Sequence, residues 1–109
     1  MQRDLTELKK LEEYLINHRI TYERFDEEKE TDEKDRIINT ERHQICVPDY
    51  ETCKWDVVCH EGSYGSERGL LEIYGSIVED TAGDTVVGWL TADDVIKRIE
   101  ENENKNHRN

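Results

Sequence analysis

The stretch from Lys54 to Val78, KWDVVCHEGSYGSERGLLEIYGSIV, constrains the fold most, because nearly everything apolar enough to form a core lies in it or can fold against it. Trp55, Val57 and Cys59 alternate with Asp56, Val58 and His60, the period-two pattern of a half-buried strand running from Cys53 or Lys54 to His60. The segment His60-Glu61-Gly62-Ser63-Tyr64-Gly65-Ser66 then breaks the strand. Ser63 or Ser66 can cap a helix, with Glu67 near the positive end of its dipole. Leu70, Leu71, Tyr74, Ile77 and Val78 recur at spacings of three and four, which predicts that helix up to Val78. Gly69 and Gly75 weaken it and point to close packing against the sheet.

The flanking elements complete an order of α-β-β-β-α-α. Leu5, Leu8, Leu11 and Leu15 share a stripe that Lys9, Lys10, Glu12 and Glu13 avoid, an amphipathic helix opened by Asp4 with Glu7 three residues on. Ile20 to Phe25 has β-rich composition and reads as a short strand. A second strand lies within Ile37 to Val47, best supported where Ile45 and Val47 share a face, and Pro48-Asp49 turns it into the third as an antiparallel hairpin. Glu79 to Asp84 is a turn, and Thr85 to Leu90 a short extended segment expected to pack Trp89. Thr91 and Asp94 form a capping box for a last helix whose apolar side is Val95, Ile96 and Ile99. The class is α+β, a small antiparallel sheet packed by helices on one face.

Charge decides more about function than any motif. The chain has 109 residues, 27 of them acidic and 15 basic, for a formal charge of −12. Binding phosphate requires Lys or Arg to displace counterions, so this balance argues against nucleic acid and anionic membrane and favours a basic protein partner. A single domain is expected over residues 1–102, with 103–109 a disordered tail. The start, MQRDLTELKK, carries no apolar segment of a signal peptide, and no run approaches the ~20 apolar residues of a membrane span. Three cysteines without a secretion signal suggest reduced thiols and a cytoplasmic location.

Two stretches carry the acidity. Residues 26–35, DEEKETDEKD, hold seven acids, two lysines and no apolar side chain, so Asp26, Glu27, Glu28, Glu30, Asp32, Glu33 and Asp35 are expected on a solvated, mobile loop. From Gly69 to Ile96 there are six acids, Glu72, Glu79, Asp80, Asp84, Asp93 and Asp94, and no Lys or Arg. Carboxylates on such a one-sign face can stand opposite Arg or Lys in a groove built for phosphates. Tyr64 or Tyr50 would supply an aromatic anchor, and a plain solvated face is the simpler reading of the same acids.

Other chemistries fit less well. The run G-S-Y-G-S-E-R-G matches neither dinucleotide nor P-loop spacing, and Glu61 and Glu67 would repel phosphate, so it reads as a structural turn. His43, Cys46, Cys53, Cys59 and His60 could be imagined as a zinc set, but only His43-x₂-Cys46 approaches a paired spacing. Cys59 or Ser63 with His60 as base would make a nucleophile, without a surrounding signature. No metal, cofactor or catalytic residue is therefore expected.

The segment WDVVCHEGSYGSERGLLEIYGSIV and the later VVGWLTADDVIKRI together resemble a type of small protein encoded by phages and prophages of Gram-positive gut bacteria. The resemblance covers roughly Lys54 to Ile99 and leaves out the acidic insert. In size, acidity and origin such proteins are similar to anti-CRISPR proteins that act on type II-A effector nucleases, several of which mimic DNA. The resemblance implies a non-enzymatic inhibitor in the host bacterial cytoplasm and assigns no site residue, while the exposed acidity argues against large self-assemblies and for a monomer or small homo-oligomer. An accessory interaction module with another partner and a small Cys/His-dependent enzyme are the alternatives.

Overall fold

The computed structural model describes residues 3–78 and 86–106. Helix α1 (Thr6–Asn17) buries the predicted stripe, with Leu8, Leu11 and Leu15 fully out of solvent. Asp4 Oδ1 accepts the Thr6 N–H at 3.0 Å, but Glu7 does not return to Asp4 as a capping box would. Its carboxylate instead accepts the Ala92 N–H at 2.8 Å and ties the start of α1 to the start of the last helix.

The main sheet is β1 (Glu23–Glu27), β4 (Arg42–Val47), β5 (Trp55–Val58), β6 (Leu71–Gly75) and β7 (Val86–Leu90), in that spatial order and antiparallel throughout. Between β1 and β4 the chain makes a separate two-stranded arm, β2 (Glu30–Thr31) and β3 (Ile37–Asn39). Helix α2 (Ala92–Asn106) follows β7 and packs beside α1.

Register explains the core. Ile45 lies opposite Val57, which lies opposite Ile73, and all three face the helices. They join Leu8, Leu11, Leu15, Leu71, Val95 and Ile99 in one buried cluster. Fully burying a side chain of this kind is worth about 1.5–3 kcal/mol. The opposite face is not packed by the helices and carries Phe25, Arg42, Gln44, Asp56, Glu72 and Tyr74, with Cys46 buried among them. The Arg42 guanidinium sits 4.3 Å from the centre of the Phe25 ring there, and Tyr50 meets that ring edge-on at 5.7 Å.

The α+β class and the sheet covered on one face are as the sequence indicates, and Trp55, Val57 and Cys59 do share the buried side. Several elements differ. The helix predicted up to Val78 is a single 3-10 turn (Ser66–Arg68) followed by strand β6. Leu71 and Ile73 alternate with Glu72 and Tyr74, so the period is two rather than 3.6. Gly69 and Gly75 punctuate that strand, both at positive φ (70° and 106°). The acidic insert also has structure: Asp26 and Glu27 extend β1, and Glu30 and Thr31 form β2. Asp32 holds the arm's turn by accepting the N–H groups of Lys34 and Arg36 at 2.8 and 2.9 Å. Helix α2 runs on to Asn106, through positions expected to belong to a frayed tail, while 107–109 lie outside the described residues. Its predicted capping box is present: Asp94 accepts the Thr91 N–H at 3.0 Å, and Thr91 Oγ1 accepts the Asp94 N–H at 3.2 Å.

Candidate functional site

Antiparallel pairing brings distant parts of the sequence to one end of the sheet. Glu27 at the end of β1 pairs with Arg42 at the start of β4, and Val58 at the end of β5 pairs with Glu72. Leu71 at the start of β6 pairs with Leu90 at the end of β7. The arm therefore leaves from this end, the loop of residues 59–70 lies across it, and both helices begin there, joined by the Glu7–Ala92 hydrogen bond.

This pole gathers most of the acids singled out from the sequence. Glu28, Glu30, Glu33 and Asp35 are exposed on the arm, and Asp93 and Asp94 are exposed in the first turn of α2, where the helix dipole favours them. Of these, Asp94 also caps α2 and Glu30 accepts from the Asn39 side chain at 2.9 Å, and the others are engaged more fully within the molecule. Arg36 pairs with Asp32 at 2.7 Å, Arg42 with Glu27 at 3.4 Å, and Arg24 with Asp26 at 2.8 Å. Glu72 accepts the Tyr64 N–H at 2.6 Å, so it positions Tyr64. Glu79, Asp80 and Asp84 lie outside the described residues.

Behind the exposed acids lies a partly buried ionic network. Glu41 accepts from Arg3 at 2.8 and 3.0 Å and from the Glu61 N–H at 2.9 Å. Burial alone would push the Glu41 carboxyl up, but these donors outweigh it and hold it below the usual range. Buried His43 contacts Asp26 Oδ1 at 2.8 Å and lies 3.6 Å from Glu41. Asp26 is likewise pushed up by burial and brought lower overall by His43 and Arg24. Arg3, Arg36 and Arg42 thus each face a carboxylate of the same pole, and the remaining carboxylates give it a negative surplus.

The 59–70 loop presents two aromatic rings. Tyr64 is fixed at both backbone groups, its N–H by Glu72 and its carbonyl by the Trp89 N–H at 3.2 Å. A Cβ on Gly88 would overlap that of Tyr64, and one on Gly65 would lie 3.0 Å from Trp89 Cα, so the two glycines permit the loop to lie against β7. Trp89, expected to pack inward, instead has a left-handed backbone (φ 62°) and is 58% exposed, as is Tyr64. That conformation is costly for a residue with a Cβ, about 1–2 kcal/mol. The rings border a concave site of about 390 Å³ whose walls include Glu61, Glu67 and Arg3.

The Cys/His alternatives acquire little geometry. Ser63 Oγ donates to the His60 carbonyl at 2.7 Å and accepts the His60 N–H at 3.0 Å, a turn motif that does not engage the imidazole. Cys59 is fully buried, and burial pushes its thiol up to about 11, away from the nucleophilic thiolate. Cys46 is pushed up to about 12, chiefly by burial. Among the described residues no three His, Cys, Asp or Glu side chains are arranged to hold a metal ion.

Trp89, Glu41, Glu61 and Glu67 are absent from the acids and aromatics singled out for partner binding from sequence. Gly88 beside Trp89 is the one local sign of a close backbone approach, and sequence spacing does not link it to Tyr64. Among the described residues no helix is long and apolar enough to cross a membrane. Comparison with protein families, with curated proteins and with solved structures finds no match for this chain.

Proposed function

We propose that the chain is a phage-encoded, non-enzymatic inhibitor that docks its acidic pole on a basic, nucleic-acid-binding face of a host defence protein in the bacterial cytoplasm. The partner class we propose is a type II CRISPR effector nuclease. The observation that carries this reading is the convergence of the arm, the 59–70 loop and both helix starts at one end of the sheet. Exposed carboxylates of the arm and of α2 thereby share a pole instead of being scattered. A surface of that sign repels phosphate and is attracted to a Lys- and Arg-lined groove, where each carboxylate takes the place of a backbone phosphate. The resemblance of Lys54 to Ile99 to small phage proteins supports the same direction.

The test is DNA cleavage by a purified type II-A nuclease with this protein titrated in before and after guide loading. Inhibition in either order supports the class, and its dependence on order locates the blocked step. Unchanged cleavage at large excess, for nucleases from several Gram-positive hosts, would refute it.

A further inference from the structure

We infer that Tyr64 and Trp89, with Glu61 and Glu67, form a receptor for a single arginine side chain projecting from a basic protein partner. The inference deepens the proposed function and rests on its claim of a basic partner. Two large aromatic rings stand out of the surface at 58% exposure each, on backbone that is held in place. Tyr64 is hydrogen-bonded at both its N–H and its carbonyl, and β7 reaches Trp89 through a left-handed turn of the chain that directs the ring outward. A ring presented on fixed backbone loses little conformational freedom on binding, which is what makes Trp and Tyr strong anchors.

The chemistry of the site selects the occupant. Aromatic faces are electronegative and attract cations. The site of about 390 Å³ has Glu61 and Glu67 in its walls, both exposed. Its one wall cation, Arg3, is already engaged by Glu41 and by the Ser66 carbonyl, at 2.8 and 3.3 Å. An anion would meet two carboxylates and two aromatic rings, and a neutral apolar group would add no donor to carboxylates of which Glu61 has only Lys29 of the arm, 4.0 Å away, opposite it. A guanidinium satisfies both, stacking flat on a ring while its edge donates to a carboxylate, which the compact ammonium of lysine does less well.

The experiment uses the full chain and follows its two tryptophan indole N–H signals by NMR, assigned with Trp89→Phe, while a capped Gly-Arg-Gly-Arg-Gly peptide is added. The Trp89 signal is expected to move saturably and that of buried Trp55 to stay. Followed through the backbone amide signals of residues 61–67, which every variant keeps, Trp89→Ala should weaken binding about tenfold, Glu61→Gln with Glu67→Gln at least about threefold, and Trp89→Phe should bind within about twofold of the original. A lysine peptide of the same length should bind more weakly. The inference is overturned if only arm signals, residues 28–35, move, if a neutral peptide shifts Trp89 as far, or if Trp89→Ala binds as well as the original chain. Nuclease inhibition that persists unchanged in Trp89→Ala overturns this inference and leaves the proposed function standing. Arginine binding at Trp89 without any nuclease inhibition does the reverse.

Discussion

Gly88→Ala is the sharpest perturbation of the pole. Gly88 has an ordinary φ, so alanine adds no backbone strain there. The added methyl would nevertheless overlap the Tyr64 Cβ and lie 3.0 Å from the Tyr64 carbonyl oxygen, both belonging to chain rather than to the far end of a flexible side chain. Neither can yield without moving the 59–70 loop off β7. Overpacking of this kind costs about 1–3 kcal/mol. The same movement breaks the 3.2 Å hydrogen bond from the Trp89 N–H to the Tyr64 carbonyl, worth a further ~1 kcal/mol. The total is about 2–4 kcal/mol, a fall in Tm of about 8 °C or more for a domain of this size. Chemical denaturation followed by circular dichroism measures it. Tyr64→Gly added to Gly88→Ala removes the overlapping atom and should recover at least half of the loss, whereas Tyr64→Ala keeps that atom and should recover little. A single Gly88→Ala variant within about 0.5 kcal/mol of the original would refute the close packing of loop on strand.

Two further outcomes follow from the burial of ionisable groups. Burial raises the Asp56 pKa, partly offset by the 2.6 Å hydrogen bond from Gln44 and reinforced by Glu72. A carboxyl whose folded pKa is raised opposes folding when ionised, so the penalty is present above the raised value and fades as pH falls to the unfolded value of about 4. Asp56→Asn keeps an oxygen for Gln44 and should raise Tm at pH 7, with the gain shrinking towards pH 4; a lower Tm at pH 7 would contradict this. In the native protein at pH 8 a thiol reagent should modify exposed Cys53 and spare Cys46 and Cys59, whose pKa values of about 12 and 11 keep them protonated and whose side chains are buried. Mass spectrometry counts the adducts, and rapid labelling of Cys59 would revive the nucleophile reading.

Sequence periodicity resolves what a single pattern determines. The leucines of α1 and the Thr91–Asp94 box of α2 are local signals, and each appears in the structure with the contacts expected of it. The alternation through Trp55, Val57 and Cys59 likewise fits one strand with one buried side. Leu70 to Val78 is ambiguous because its apolar residues satisfy both periods. Leu71 and Ile73 sit two apart, while Leu70, Tyr74, Ile77 and Val78 sit three or four apart. Tertiary pairing to β5 and β7 settles the matter, and no local propensity encodes those neighbours. The acidic arm escapes periodicity altogether, since its strands are held by backbone pairing and by the Asp32 turn, with Ile37 and Ile38 left exposed. Trp89 is misjudged for a similar reason: hydrophobicity places it in the core, and its left-handed backbone turns it out.

The acids of the arm and of α2 are legible from composition, but their assembly into one pole requires the sheet order, which sequence spacing does not contain. The measurement that tests this most directly is the affinity of the protein for a type II-A nuclease as a function of salt. It compares the original chain with a variant carrying Glu28→Gln, Glu30→Gln, Glu33→Gln and Asp35→Asn. Docking through the acidic pole predicts that affinity for the original falls about tenfold or more between low and physiological salt, and that the variant binds more weakly with a shallower dependence. Tight binding that is indifferent to salt and unchanged in the variant would contradict it.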